Sequence, residues 1–343
     1  MKKTTLSGLV LGVTLVLAQL HSMPAWADGR KGAGGISQVI AFGDSFSDNG
    51  VKQKLSTNAV AAGVLGARVK PDPKLYFQGR YSNGPVAVEV LANRLSVDLT
   101  DYAVGGAMSG DQNYDSWLDD YTATGIQAQV ASFRHDLAGR RADAKALYFI
   151  GISANDYFKF VDFAQPGVLF VGSSSPAPLA EIAKRAAENT RLAVDRLIAL
   201  GARNFLISKS YYLRGPYILS AGQSPMADEF ARVYNDALGA VLKPLKHRDG
   251  VSIELFDFGA KTQEIIDEPG RYGITNSTDA CETTFPVPMP PCANPDAYLF
   301  WDEYHPTRRA HEIIGSMMEQ AVLKRGAAGH HYPGHSARPS FPW

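Results

Sequence analysis

An excess of charge of one sign is missing: the 343 residues carry 34 Lys and Arg against 34 Asp and Glu. With no basic stripe to neutralise phosphates, nucleic acid is not an expected partner. Cysteine is nearly absent, at two residues, Cys281 and Cys292, with no further soft ligands beside them. That argues against a cysteine-built metal centre. Long apolar runs are missing after the first thirty residues, so no later segment is expected to cross a membrane. Histidine is sparse within the body of the chain. Of eight, His21 lies near the start and His330, His331 and His335 near the end. Only His135, His247, His305 and His311 remain as candidate proton-transfer groups.

What is present at the start is Lys2 and Lys3, an apolar core from Leu6 to Leu17, and a small-x-small site at Ala25-Trp26-Ala27. This reads as a secretory signal peptide cut after Ala27, rather than a membrane anchor, for which the run is short. The expected location is therefore the periplasm or the external medium. In an exported chain, Cys281 and Cys292 in "CETTFPVPMPPC" read as a short-loop disulfide that staples a Pro-rich loop. The last stretch, residues 326–343, is rich in Gly, Pro and His without periodicity and reads as a disordered tail. Its histidines are expected to be solvated rather than metal-bound. Between the ends, residues 36–325 show no repeat and no internal boundary, and read as one domain of about 290 residues.

Within that body, short apolar runs alternate with helical patterns. Val39–Phe42, Ala146–Ile150, Phe205–Ser208 and Ile253–Phe256 read as buried strands. "PVAVEVLANRL", "GIQAQVASFRHDL" and "LAEIAKRAAENTRLAVDRLIALGA" read as amphipathic helices, the last stopping at Gly201. Ser82 or Asn83 is expected to cap the first of these, with Pro85 in its first turn. Residues 162–178 read as an inserted loop. The alternation predicts an α/β fold with a mostly parallel sheet covered on both faces.

In such sheets the working site lies at the carboxyl ends of the strands. The loop after the first strand reads "GDSFSDNG", a serine between two aspartates. Ser153-Ala154-Asn155-Asp156 follows a later strand, a Gly105-Gly106 turn lies between, and "FWDEYHPTRRAH" near the end carries Asp302 and His305. Each alone is weak: Gly-Asp-Ser is mostly a turn, and Asp-x-x-His is often a helix start. Together they supply what acyl transfer needs. Ser45 offers a hydroxyl, His305 a base and Asp302 a carboxylate three residues away to orient the ring. Gly106 offers an unobstructed backbone N–H and Asn155 a side-chain amide for a developing oxyanion. No metal or organic cofactor is implied.

These blocks resemble the GDSL, or SGNH, hydrolase family of secreted lipolytic enzymes. The matching stretches are Gly43-Asp44-Ser45 with Ser47-Asp48-Asn49-Gly50, Asp101 to Ala107, Ser153 to Tyr157, and Trp301 to Thr307. "GRYSNGPVAVEVLA" and "LGARNFLI" resemble its bacterial phospholipase/lecithinase/hemolysin branch. The resemblance spans roughly Val39 to Ala321. It implies a flavodoxin-like three-layer α/β/α fold, with Ser45 as nucleophile, His305 as base and Asp302 orienting it. It also implies an oxyanion hole made of the Ser45 and Gly106 backbone N–H groups and the Asn155 amide. Three positions depart from the family pattern. Phe46 replaces leucine at an apolar packing position. Ser153 stands where Gly is usual, which bears on the placing of Asn155. Asp101 stands where Asn is common, and is expected to serve turn geometry.

Two rivals remain at this level. A flavin-phosphate loop would set Asp44 and Asp48 against a dianion with no Lys or Arg in the loop to offset them. A binding protein that kept the fold and lost the reaction would be expected to lack one of Ser45, Asn155, Asp302 or His305, and all four are present. The expected function is an exported serine esterase acting on lipid, phospholipid or short-chain acyl esters. Acyl transfer to another alcohol and glycan O-deacetylation are alternatives at the same site. The expected partner is a small-molecule or lipid ester, with a membrane surface as a further substrate. Phe46, Tyr157, Phe158, Trp301 and Tyr304 flank the site, either as acyl-pocket lining or as core; Phe46 and Trp301 read as core.

Overall fold

The computed structural model describes residues 33–163, 179–284 and 288–328. The expected signal peptide lies outside these residues, as do 164–178 of the expected inserted loop. The expected tail is described only through Ala328, to which the last helix runs.

Four strands form on the apolar runs: β1 (Gln38–Gly43), β3 (Leu147–Gly151), β4 (Asn204–Ser208) and β5 (Ser252–Phe256). With β2 (Asp98–Asp101) they make a five-stranded parallel sheet of order β2-β1-β3-β4-β5. This is the doubly wound order of flavodoxin-like folds. β3 is buried at every residue, so both faces of the sheet centre are covered. β2 reads Asp-Leu-Thr-Asp and carries no apolar run. It is an edge strand that none of its residues needs to bury, and its register along Gln38–Ala41 holds it in place.

One helical layer is α2 (Ala87–Leu95), α9 (Phe258–Asp267) and α10 (Arg308–Ala328), with α10 packed on both of the others. The other is α4 (Ile126–Leu137), α5 (Ala154–Phe163), α6 (Leu179–Leu200) and α8 (Ser224–Lys246). α6 buries Ala183, Ala186, Ala187, Thr190, Ala193, Val194, Leu197 and Ile198, one face at helical spacing. The small residues on that face let α8 approach with Phe230, Val233, Tyr234 and Leu238. Each large apolar side chain buried there stabilises the fold by about 1.5–3 kcal/mol. α6 ends at Gly201, whose φ of +122° suits only glycine well. The remaining elements are α1 (Val51–Ala61), the short α3 (Ser116–Asp119) and α7 (Pro216–Ser220), and a two-stranded ribbon of β6 (Asn276–Ala280) and β7 (Tyr298–Phe300).

The expected cap of α2 is corrected. The helix starts at Ala87 after Val86, and the Glu89 carboxylate accepts the Val86 N–H. Pro85 precedes the cap. Ser82 Oγ instead donates to the Pro306 carbonyl, and Asn83 Oδ1 accepts the Arg308 N–H at the start of α10. The "SNG" segment therefore ties the chain before α2 to the segment after His305.

Candidate active site

β1 delivers Ser45 to the carboxyl edge of the sheet. The chain turns at once: the Asp44 carbonyl accepts the Ser47 and Asp48 N–H groups, and Asp44 Oδ1 accepts the Phe46 N–H. Asp48 is fully buried and accepts four backbone N–H groups, from Gly50, Val51, Lys52 and Gly105. Three of these open α1, where a helix leaves its first N–H groups without backbone partners. The fourth clips the serine loop to the Gly105-Gly106 turn. Asp101 accepts the Asn49 and Ala103 N–H groups, which is turn geometry.

Asp302 and His305 sit between β7 and α10. The Trp301 N–H donates to the His305 carbonyl at 2.7 Å, closing a tight turn around Asp302-Glu303-Tyr304. Asp302 Oδ1 accepts the Tyr304 and His305 N–H groups, so the carboxylate is aimed before the ring is considered. His305 Nδ1 lies 2.7 Å from Asp302 Oδ2, and His305 Nε2 lies 2.8 Å from Ser45 Oγ. Burial alone would raise the Asp302 pKa. The electrostatic pull of the facing His305 ring and the hydrogen bonds from His305, Tyr76 and the Tyr304 N–H outweigh it and hold the carboxyl below its ordinary value. An ionised carboxylate only accepts, so Nδ1 carries a proton, and in the neutral imidazole Nε2 is then the atom that accepts from the Ser45 hydroxyl.

Gly106 follows β2, with φ of +80°. Asn155 opens α5 after β3, and its Nδ2 donates to the Ala107 carbonyl at 3.0 Å. Ser45, Gly106, Asn155, Asp302 and His305 all line one cavity of about 570 Å³. Leu75, Tyr76, Phe158 and Tyr304 line it too. Of the five flanking aromatics, then, Phe158 and Tyr304 face the cavity. Phe46 is core: it stacks on Tyr211 at 4.1 Å with Phe258 edge-on. Tyr157 and Trp301 are buried away from the lining. His135 and His247 are exposed, whereas His311 is fully buried, accepts the Ala87 N–H, and is pushed by burial to a pKa of about 3. Cys281 and Cys292 are disulfide-bonded, and Thr284 and Pro288 between them reach the cavity wall.

Ser153 adopts φ of +134°, a conformation that disfavours any β-carbon. This accounts for a glycine at the matching position of the resembled family. Ser153→Gly is expected to gain about 1 kcal/mol net of the extra freedom of the unfolded chain, a rise of a few degrees in Tm. kcat should stay within about twofold. A fall in Tm would refute the strain.

Sequence reading passed over the residues that brace the site from the segment between α1 and α2. Tyr76 donates to Asp302 Oδ2 at 2.7 Å. Tyr81 lies with its ring centroid 4.9 Å from that of His305. The "GRYSNG" stretch was a signal for Tyr81; nothing local marks Tyr76. Glu282, fully buried, was also missed. Burial and the neighbouring Asp302 and Glu303 carboxylates push it up to a pKa of about 7. The folded chain therefore keeps a proton that the unfolded chain loses near 4.5. Stability falls as pH rises between these values, and the cost is complete above the higher one. Glu282→Gln should raise Tm at pH 8 and leave it nearly unchanged at pH 4.5. A larger gain at the acid end would contradict this.

The profile of the GDSL-like Lipase/Acylhydrolase family matches residues 39–318. The chain is 27% identical over 300 residues to the thermolabile hemolysin of Vibrio parahaemolyticus, an alignment covering 82% of this chain and 63% of that protein. It is 27% identical over 314 residues to a GDSL esterase/lipase of Arabidopsis thaliana, covering 80% and 84%. It is 24% identical over 249 residues to the phosphatidylcholine-sterol acyltransferase of Aeromonas hydrophila, covering 72% and 65%. The chain thus spans less than two thirds of the length of these two bacterial relatives. Among solved structures, an acetylxylan esterase of Geobacillus stearothermophilus aligns at 14% identity and a TM-score of 0.44, over 85% of this chain and 95% of that one. A lipolytic G-D-S-L protein of Veillonella parvula aligns at 15% and 0.41, over 83% and 96%. With its family profile running from β1 into α10, the chain belongs to the GDSL-like lipase/acylhydrolase family.

Proposed function

We propose that the chain cleaves its ester through a covalent acyl-serine. Ser45 Oγ attacks the carbonyl carbon while His305 Nε2 takes its proton. Asp302 keeps the imidazole in the tautomer that can accept, and stabilises the imidazolium that forms. The carbonyl oxygen becomes negative and is met by the N–H groups of Ser45 and Gly106 and by Asn155 Nδ2. An amide nitrogen carries two hydrogens, and Ala107 takes one, so the other serves the oxyanion. The imidazolium returns its proton to the departing alcohol. Water then enters, gives a proton to Nε2, attacks the acyl carbon, and Ser45 leaves as the free hydroxyl with the carboxylic acid. The observation that carries this reading is the unbroken chain from Ser45 Oγ through His305 to Asp302 at the wall of the cavity.

For the substrate we favour a lipid or phospholipid acyl ester. Support comes from the Leu75, Tyr76, Phe158 and Tyr304 surfaces in a cavity within the usual size range of small-molecule sites. Two relatives bear the names hemolysin and phosphatidylcholine-sterol acyltransferase. The second name also favours acyl transfer to a lipid alcohol where that alcohol outcompetes water. We further propose that residues 1–27 are a signal peptide, that 36–325 form the catalytic domain, and that the protein works in the periplasm or outside the cell. The Cys281–Cys292 disulfide suits an oxidising compartment. Among the described residues, no helix is long and apolar enough to cross a membrane.

The test is hydrolysis of p-nitrophenyl esters from acetate to palmitate by the mature protein. A long-chain optimum supports the lipid reading, and an acetate optimum overturns it in favour of short acyl groups. Adding a sterol or fatty alcohol and finding its ester would establish transfer.

A further inference from the structure

The Gly105-Gly106 turn raises a question that the proposed oxyanion hole depends on. The Ala107 N–H donates to the Val104 carbonyl at 2.9 Å, so residues 104–107 form a β-turn with Gly106 at its third position. Its φ of +80° is that of a type II turn. Type I and type II turns differ by rotation of the central peptide through roughly half a turn. Here that peptide is Gly105 C=O with Gly106 N–H. A peptide between two glycines has no β-carbon on either side to oppose the rotation. Because the unit is planar and trans, its C=O and N–H point in opposite directions. Whether Gly106 offers its N–H or Gly105 its carbonyl to the cavity is thus decided by what holds the carbonyl.

Asn113 holds it. The Asn113 Nδ2 donates to Gly105 O at 3.0 Å and to Thr124 Oγ1 at 2.9 Å. Its Oδ1 accepts from Lys52 Nζ at 3.0 Å and from the Asp115 N–H at 2.9 Å. Both ends of the carboxamide are engaged, and the residue is almost wholly buried. It packs so closely that a β-carbon on Gly106 would lie 2.5 Å from Asn113 Oδ1. Lys52 is itself fully buried, paired with Asp115 Oδ2 at 3.0 Å and set over the Trp117 ring. An ammonium only donates. It therefore requires the oxygen end of Asn113 and leaves the NH₂ end for Gly105. If the turn rotated, the Gly106 N–H would meet that NH₂ donor to donor. If Asn113 reversed to accept it, the NH₂ would meet Lys52 instead. Either arrangement leaves buried donors unpaired.

We propose that Lys52 and Asn113 are positioning residues that lock the Gly105-Gly106 peptide with its N–H toward the oxyanion. The lock acts through polarity: the buried ammonium fixes the carboxamide, and the carboxamide fixes the peptide. The inference rests on the reading of Gly106 as an oxyanion donor.

Asn113→Asp keeps the acceptor for Lys52 and removes the donor to Gly105. Its kcat should fall by about 10²-fold, the scale of one lost oxyanion donor, with KM within about threefold. Lys52→Met keeps the length of the side chain and removes the charge, and kcat should fall about tenfold or more. Affinity for an alkylboronic acid, which becomes tetrahedral on a serine, should fall by the same factor as kcat in each variant. Rates are taken per active site by burst titration, so incompletely folded protein does not count. Should Asn113→Asp fail to fold, Lys52→Met decides alone. Wild-type kcat and boronate affinity in folded Lys52→Met, or losses confined to KM, would overturn the lock. Wild-type protein that cleaves no ester, or a Ser45→Ala variant of full activity, would instead overturn the reading of function beneath it.

Discussion

Replacing Ser45 by alanine is expected to lower kcat on any cleaved ester by about 10⁴ to 10⁶-fold, on the scale seen when a serine triad loses its nucleophile. The fold should survive, because Ser45 Oγ has His305 Nε2 as its partner and the loop is held by Asp44 and Asp48 backbone contacts. His305→Ala should cost a similar factor, since a serine hydroxyl without a base is a poor nucleophile. The two effects should not multiply. A Ser45→Ala/His305→Ala double variant should be about as slow as either alone, because groups that act in one step are lost together. Steady-state rates with native-like circular dichroism check this. A double variant slower by the product of the single factors would mean that the two residues act independently. That is incompatible with the 2.8 Å contact being the proton path.

The second large effect is expected at Asn155. Asn155→Ala should reduce kcat by about 10² to 10³ with little change in KM, because the amide meets charge that develops only in the transition state. The substitution also removes the donor to Ala107 O, one residue beyond Gly106. Loosening of the Gly106 turn therefore adds to the loss. If KM rose and kcat stayed, Asn155 would bind the ground state, and the donor assignment would be wrong.

Much of the fold is legible in the sequence because most of the parallel strands here are continuous apolar runs. β1, β3, β4 and β5 each appear within two residues of where the pattern sets them. β2 is not legible: an edge strand of Asp-Leu-Thr-Asp is defined by its neighbour, not by its own side chains. The cap of α2 misleads for a related reason. Ser82 and Asn83 carry capping chemistry, but their partners are Pro306 and Arg308, more than two hundred residues away. At the site, Ser45, Asp302 and His305 stand out because each lies in a short motif beside an apolar strand. Asp302 and His305 meet within one turn of chain. Tyr76 and Glu282 do not stand out. Tyr76 reaches Asp302 across 226 positions, and Glu282 owes its raised pKa to burial and to carboxylates that sequence cannot place beside it. The Lys52–Asn113 contact spans 61 positions. A lysine just after an acidic loop reads as a solvated charge until the fold buries it.

The central claim, that Ser45 is the nucleophile, is tested most directly by peptide mapping after treatment with a phosphonate ester that reacts with activated serines. One adduct, on the peptide containing Ser45, should form in step with loss of esterase activity, and none should form in His305→Ala over the same time. Inactivation with the adduct on another residue, or full activity retained by protein modified at Ser45, would contradict the account.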